Sequence, residues 1–158
     1  QGLVMNASIA TNIGLGSLKA LSRGGVMQPR RERALARRQA EELQIRATSV
    51  TQDVAELSGG NQQKVVLAKY LARKPRVLLL DEPTRGIDVG TKSEIYQLIR
   101  RLTADGVAVV VVSSEISELL GLADDVAVLH EGRLTGIVAA AATDQQTILH
   151  LCYGRLDA

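Results

Sequence analysis

The chain contains no tryptophan and no phenylalanine, and three tyrosines supply all of its aromatic content. A core without large rings must be built from Val, Leu, Ile and Ala. That composition suits a parallel sheet covered by helices better than an aromatic-rich β-sandwich. The same absence argues against single-strand nucleic-acid binding, which relies on aromatic stacking platforms. One cysteine, Cys152, permits no internal disulfide and no zinc spacing, which fits a reducing compartment. It reads as a small semi-apolar residue of a terminal helix rather than as a nucleophile. The charges nearly balance, and a net +2 demands neither nucleic acid nor an anionic membrane. No apolar run reaches transmembrane length, and no signal peptide is visible. The most specific absence is chemical: no phosphate-cradling G-x-x-x-x-G-K-[ST] loop occurs anywhere in the 158 residues.

What is present falls into two textures. Residues 1–56 read as helices and loops with no strand-like alternation. A short helix is expected over 5–15, Gly24-Gly25 and Pro29 punctuate, and a longer helix is expected over 30–46. That longer helix carries a weak apolar stripe of Leu35, Gln39, Leu43 and alanines. Arg30, Arg31, Arg33, Arg37 and Arg38 cluster on it, but Glu32, Glu41 and Glu42 interleave, so a solvated face is the better reading than a docking surface. From Leu57 onward helix and strand alternate, as in α/β topology. Helices are expected over 61–74 (stopped by Pro75), 89–104, 116–122 and 143–153. In the second of these Ile95, Leu98, Ile99 and Leu102 share one face, and Asp105-Gly106 ends it. The apolar runs 77–80 and 107–112 read as strands buried on both faces. Segments 126–129 and 133–138 flank Glu131-Gly132 as a hairpin, with His130 as an exposed residue before its turn. The chain opens with Gln1 in what reads as mid-domain sequence, so a fragment is expected.

Two motifs carry chemistry. Asp81-Glu82 ends an apolar strand, where open α/β sheets place their ligands. Side chains alternate along a strand, so the two carboxylates can serve different targets. One can hold Mg²⁺, usually through water, and the other can orient and polarise an attacking water. Adjacent acids alone are commonly a solvated loop; the four apolar residues before them and Pro83-Thr84 after them favour the site. One helix earlier stands Leu57-Ser58-Gly59-Gly60-Asn61-Gln62-Gln63-Lys64. A helix start offers unpaired N–H groups and partial positive charge, glycines let anionic oxygens approach the backbone, and Ser58 adds a hydroxyl donor.

These residues resemble the ATP-binding cassette (ABC) ATPases. Residues 57–64 are similar to that family's signature motif and 77–82 to its Walker B strand. Arg85-Gly86-Ile87-Asp88 falls where the family has its D-loop, and Val112-Ser113-Ser114-Glu115 falls at its switch-histidine loop. The resemblance implies an incomplete α/β P-loop NTPase fold with a helical subdomain. Residues 1–56 would be the partial helical subdomain, 57–142 the ATPase core from signature to post-switch hairpin, and 143–158 a closing helix. The Asn-Gln-Gln-Lys ending, the Asp-Glu-Pro-Thr-Arg-Gly-Ile-Asp-Val-Gly run and Ser-Ser-Glu resemble the second cassette of monosaccharide importers of the ribose, galactose, xylose and autoinducer-2 type.

Carried over, the resemblance implies ATP and Mg²⁺ as cofactors. Ser58, Gly59, Gly60 and Gln62 would contact the γ-phosphate of ATP held by an opposite cassette. Asp81 would assist Mg²⁺, Glu82 would act on the hydrolytic water, and Asp88 would couple the two sites. Ser114 takes the place of the switch histidine and is too short to reach a γ-phosphate, which implies a degenerate catalytic position. The partners implied are a second cassette, a transmembrane permease and a periplasmic or extracellular sugar-binding protein, with no nucleic acid. The place implied is the cytoplasmic face of the plasma (inner) membrane, peripherally attached. Without the Walker A loop the isolated chain is expected to bind ATP poorly and not to turn it over, and to expose sheet edge and apolar surface. A truncated, non-catalytic remnant or interaction module stays open as the alternative. Chromosome-maintenance ATPases share the Ser-Gly-Gly signature but carry coiled-coil heptads, and none is visible here. A translation-associated cassette would need a partner cassette and linker.

Overall fold

A computed structural model describes residues 2–154. The first helix, α1, spans Ile9–Gly14, shorter than the expected 5–15. Ser8 starts it, its Oγ accepting the Thr11 N–H at 3.1 Å. The preceding residues are held out of the helix by the fully buried Asn12. Its carboxamide accepts from the Val4 N–H (2.8 Å) and donates to the carbonyls of Val4, Ala7 and Ser8. After α2 (Leu18–Leu21) come two strands absent from the sequence expectation, β1 (Ser22–Arg23) and β2 (Val26–Met27). They pair antiparallel across Gly24-Gly25, whose φ of +58° and +80° suit a two-residue hairpin turn. Strands this short show no alternation, which is why the sequence conceals them.

Helix α3 (Pro29–Glu42) begins on a proline and buries Ala36 and Gln39, leaving its arginines exposed in solvent as expected. It stops four residues before the expected limit because Gln44 turns left-handed at φ +52°. Helix α4 (Gly59–Leu71) starts two residues earlier than expected, on Ser58. Strand β3 (Val77–Asp81) leads to α5 (Val89–Ala104) and then β4 (Ala108–Val112). β3 and β4 pair, and the bonds Ala108 N–H to Arg76 O at one end and Glu82 N–H to Val112 O at the other make the pair parallel. Helix α6 spans Ile116–Leu122, β5 Asp125–His130, β6 Arg133–Ala139 and α7 Gln145–Cys152.

The strand burial corrects the sequence reading. In β3, Leu78 and Leu80 are buried, but Leu79 is 72% exposed and Val77 is also open. In β4, Val110 and Val112 are exposed as well. Each strand therefore covers one face only, and the expected exposed apolar surface is found on the other. β5 and β6 form an antiparallel hairpin with an irregularity between Val128 and Leu129, turning through Glu131 and Gly132 at positive φ. His130 is half-buried rather than exposed: its ring lies where a Cβ on Gly154 would meet it at 3.0 Å.

The chain divides into two compact units. The first holds the residues up to Leu78 together with Thr84–Ala108; the second holds Leu79–Pro83 and the chain from Val109 onward. The first is built around Ile9 and Ile13 of α1, Val65 and Ala68 of α4, and Ile95 and Ile99 of α5. The second packs Val126, Val128, Ala140 and Ile148 against Ile116, Leu119, Leu120, Val138 and Leu151. Among the described residues no helix is long and apolar enough to cross a membrane.

Candidate functional site

The first unit carries Ser58, Gly59, Gly60, Gln62 and Asp88. Ser58 is exposed at the N-cap of α4 in extended conformation (φ −61°, ψ 154°). Asn61 Nδ2 donates to Ser58 Oγ at 2.9 Å, and Asn61 Oδ1 accepts the backbone N–H of Arg46 at 2.8 Å. That second bond fixes which end of the carboxamide faces the serine. Ser58 Oγ is thereby used as an acceptor, and its own hydrogen is left to donate to another group.

The two glycines differ in purpose. A Cβ on Gly59 would meet nothing within 4 Å, so the helix start is open there to a ligand. A Cβ on Gly60 would lie 2.4 Å from Thr91 Cγ2 and 2.7 Å from Thr91 Oγ1. Gly60 is a glycine because α4 and α5 meet at this point. The Gln62 side chain turns toward its own chain. Its Nε2 donates to the carbonyls of Leu57 (3.0 Å) and Val54 (3.2 Å), so both N–H donors serve the preceding turn. Its amide oxygen is left as an acceptor.

Asp88 is the N-cap of α5. Its Oδ1 accepts the Thr91 N–H at 3.0 Å and its Oδ2 the Thr91 hydroxyl at 2.7 Å. These bonds to Thr91, the hydroxyl's first, hold the carboxyl below the usual aspartate range. Thr91 thus touches both motifs: it caps with Asp88 and packs on Gly60. A polar cavity of about 220 Å³ opens here, lined among others by Ser58, Asn61, Asp88 and Thr91.

Two of its lining residues, Arg46 and Glu94, were not singled out from the sequence, and Lys64 at the end of the signature motif joins them. Lys64, only 4% exposed, pairs with Glu94 Oε2 at 2.7 Å and donates to the Gln44 carbonyl at 3.1 Å. Arg46 Nη2 meets Glu94 Oε1 at 3.3 Å. The hydrogen bond from Lys64 is the main reason the Glu94 carboxyl lies below the usual glutamate range. No signal in the sequence joins these residues.

The second unit carries Asp81, Glu82 and Ser114. Asp81 ends β3 with an exposed carboxylate, a hard-oxygen group suited to a water-mediated Mg²⁺ contact. Glu82 leaves the strand at φ +47°, a left-handed conformation costing roughly 1–2 kcal/mol for a residue with a Cβ. Its N–H bonds the Val112 carbonyl at 2.9 Å, and its Oε1 accepts the Ser114 N–H at 2.8 Å. The two expected catalytic positions do meet, though through the backbone of Ser114. The loop is held by Ser113, whose Oγ accepts the Glu115 N–H at 3.0 Å and donates to the buried Glu118. Among the described residues there is no group of three or more His, Cys, Asp or Glu side chains able to hold a metal by themselves.

The model of the ABC transporter family matches residues 2–85, more than half of the chain. The chain is 50% identical over 155 residues to ribose import ATP-binding protein RbsA 2 of Streptomyces avermitilis, covering 98% of this chain and 31% of that protein. Against ribose import ATP-binding protein RbsA of Bacillus cereus the identity is 46% over 154 residues, with 98% and 31% covered. The chain thus spans 31% of the length of these relatives. Among solved structures, the ATP-binding cassette MJ0796 in a dimeric post-hydrolysis state with ADP and Pi matches at TM-score 0.72 and 26% identity, over 87% of this chain and 59% of that one. An ABC transporter in an inward-facing conformation matches at TM-score 0.81 over 97% of this chain and 61% of its own; its 16% identity speaks to the fold alone. The fold is that of part of an ABC ATPase cassette, and the chain belongs to the ABC transporter family.

Proposed function

We propose that this chain is the signature-bearing part of the ATP-binding subunit of a sugar importer, in which ATP binding and hydrolysis drive solute uptake. The observation that carries the reading is the start of α4. There the Ser58 hydroxyl is left to donate beside the open Gly59, as an anionic phosphoryl oxygen requires. The ribose-import names of the relatives support a monosaccharide as the solute.

In this reading Ser58, Gly59 and the helix start around Gly60 face the γ-phosphate of ATP held by a second cassette. Asp81 would hold Mg²⁺ through water, and the ion would supply charge neutralisation at the phosphates. Glu82 aligns the attacking water, and Asp88 with Thr91 ties the neighbouring loop to the signature. Ser114 serves through its N–H, leaving no imidazole on the γ-phosphate, so this half is a weak hydrolytic site. The remaining partners are a permease and an extracytoplasmic sugar-binding protein, with the subunit at the cytoplasmic face of the membrane.

The test is ATP-dependent association. The 158-residue chain is titrated with an intact cassette bearing its own phosphate loop, with and without Mg·ATP, and followed by fluorescence anisotropy. Binding that needs ATP and disappears in Ser58→Arg is the expected result. Association indifferent to ATP would reduce the chain to a non-catalytic interaction module. The chain alone is expected to show no ATP turnover; hydrolysis abolished by Glu82→Gln would contradict that.

A further inference from the structure

The polar groups behind the signature form a connected path. Ser58 Oγ accepts from Asn61 (2.9 Å), and Asn61 accepts from the Arg46 backbone (2.8 Å). The Arg46 guanidinium meets Glu94 (3.3 Å), Glu94 meets Lys64 (2.7 Å), and Lys64 returns along the same helix as Asn61. Lys64 also grips the Gln44 carbonyl (3.1 Å), and Gln44 is the left-handed residue that turns the chain from α3 toward Arg46. Glu94 is the junction of this path: both of its oxygens are engaged, each by a different cation.

We infer that Glu94 is a positioning residue which, through Lys64 and Arg46, fixes the Asn61 carboxamide and so aims the Ser58 hydroxyl at its phosphoryl ligand. The inference rests on the signature reading above. Its physical basis is that the Arg46 N–H decides the orientation of Asn61. Asn61 in turn decides whether Ser58 is an acceptor or a donor toward a ligand. If the 44–46 turn is released, the carboxamide is free to flip and present Oδ1 to the serine. Ser58 would then spend its hydrogen inward. Charge matters as well, because Lys64 is buried and Glu94 is its counter-ion.

The experiment is a double-mutant cycle of Glu94→Gln with Ser58→Ala, read by ATP-dependent association with an intact cassette. Hydrogen exchange at the Arg46 amide is measured in parallel. Glu94→Gln is expected to weaken association about tenfold in the parent chain but less than about twofold on the Ser58→Ala background, because the two act in series. Arg46 amide exchange is expected to rise. Equal losses on both backgrounds would make Glu94 a general structural residue and overturn the inference. An unchanged Arg46 amide would overturn it without any nucleotide. If the parent chain shows no ATP-dependent association, the signature reading fails by itself, and the amide still decides whether the network exists. Should Glu94→Gln not fold, Arg46→Gln cuts the exposed arm of the path without touching the buried ammonium. It is expected to weaken binding about threefold, again only when Ser58 is present. An unaltered affinity there would count against the role.

Discussion

At the scale of single residues, the structure separates an open glycine from a packing glycine. Gly60→Ala is expected to drive its methyl into Thr91 and cost about 1–3 kcal/mol, measurable by chemical denaturation, whereas Gly59→Ala should leave stability nearly unchanged. Asn12 is the other residue whose loss has a definite outcome. Asn12→Ala strands the Val4 N–H and takes a second donor from the carbonyls of Val4, Ala7 and Ser8, which keep their backbone partners, and a loss of about 1–3 kcal/mol is expected in the same measurement. Asp88 predicts a pH dependence. Its folded pKa lies below the ordinary aspartate value, so its capping contribution is full above about pH 4 and lost as pH falls through the lower folded value. Thr91 amide protection should therefore hold from neutrality to about pH 5 and decline only in stronger acid, while Asp88→Asn removes that dependence. A decline starting near neutrality would contradict the assignment.

Among the elements, legibility followed local punctuation. Helix α5 matches its expected limits because Asp88 caps it and Asp105-Gly106 ends it, both within its own sequence. The start of α1 did not, because what unwinds residues before Ser8 is Asn12, a side chain acting from the next turn. The end of α3 was hidden for a similar reason: the turn at Gln44 is gripped by Lys64, twenty residues on. The site divides the same way. Ser58, Gly59, Asp81, Glu82 and Asp88 lie in contiguous motifs, whereas Arg46 and Glu94 are 48 residues apart and join only in three dimensions. Apolar content alone misread β3 and β4, since an apolar run says what a strand is made of and not what covers it. Leu78→Ala should cost about 2–4 kcal/mol, but Leu79→Ala, on the open face, should stay within about 0.5 kcal/mol. Equal costs would restore the doubly buried reading.

Considered whole, the molecule is two units threaded by one chain that leaves the first at Leu78, returns at Thr84 and leaves it again after Ala108. In the second unit Leu79, Val110 and Val112 expose apolar surface of the kind that drives self-association. Sedimentation velocity is therefore expected to show concentration-dependent assembly, diminished by Leu79→Lys with the melting temperature retained. Assembly unaffected by that change would place the sticky surface elsewhere. The threading also sets an order in time. Glu82 emerges from the ribosome 32 residues before Ser114, whose N–H receives its carboxylate. At about 5–20 residues per second that leaves a wait of roughly 2–6 seconds. For nearly all of that interval neither Val112 nor Ser114 is there to hold Glu82 in its left-handed conformation. The segment from Leu79 to Pro83 is thus the first part of its unit to be made, and it waits for the chain around Val112 and Ser114 before it can be locked.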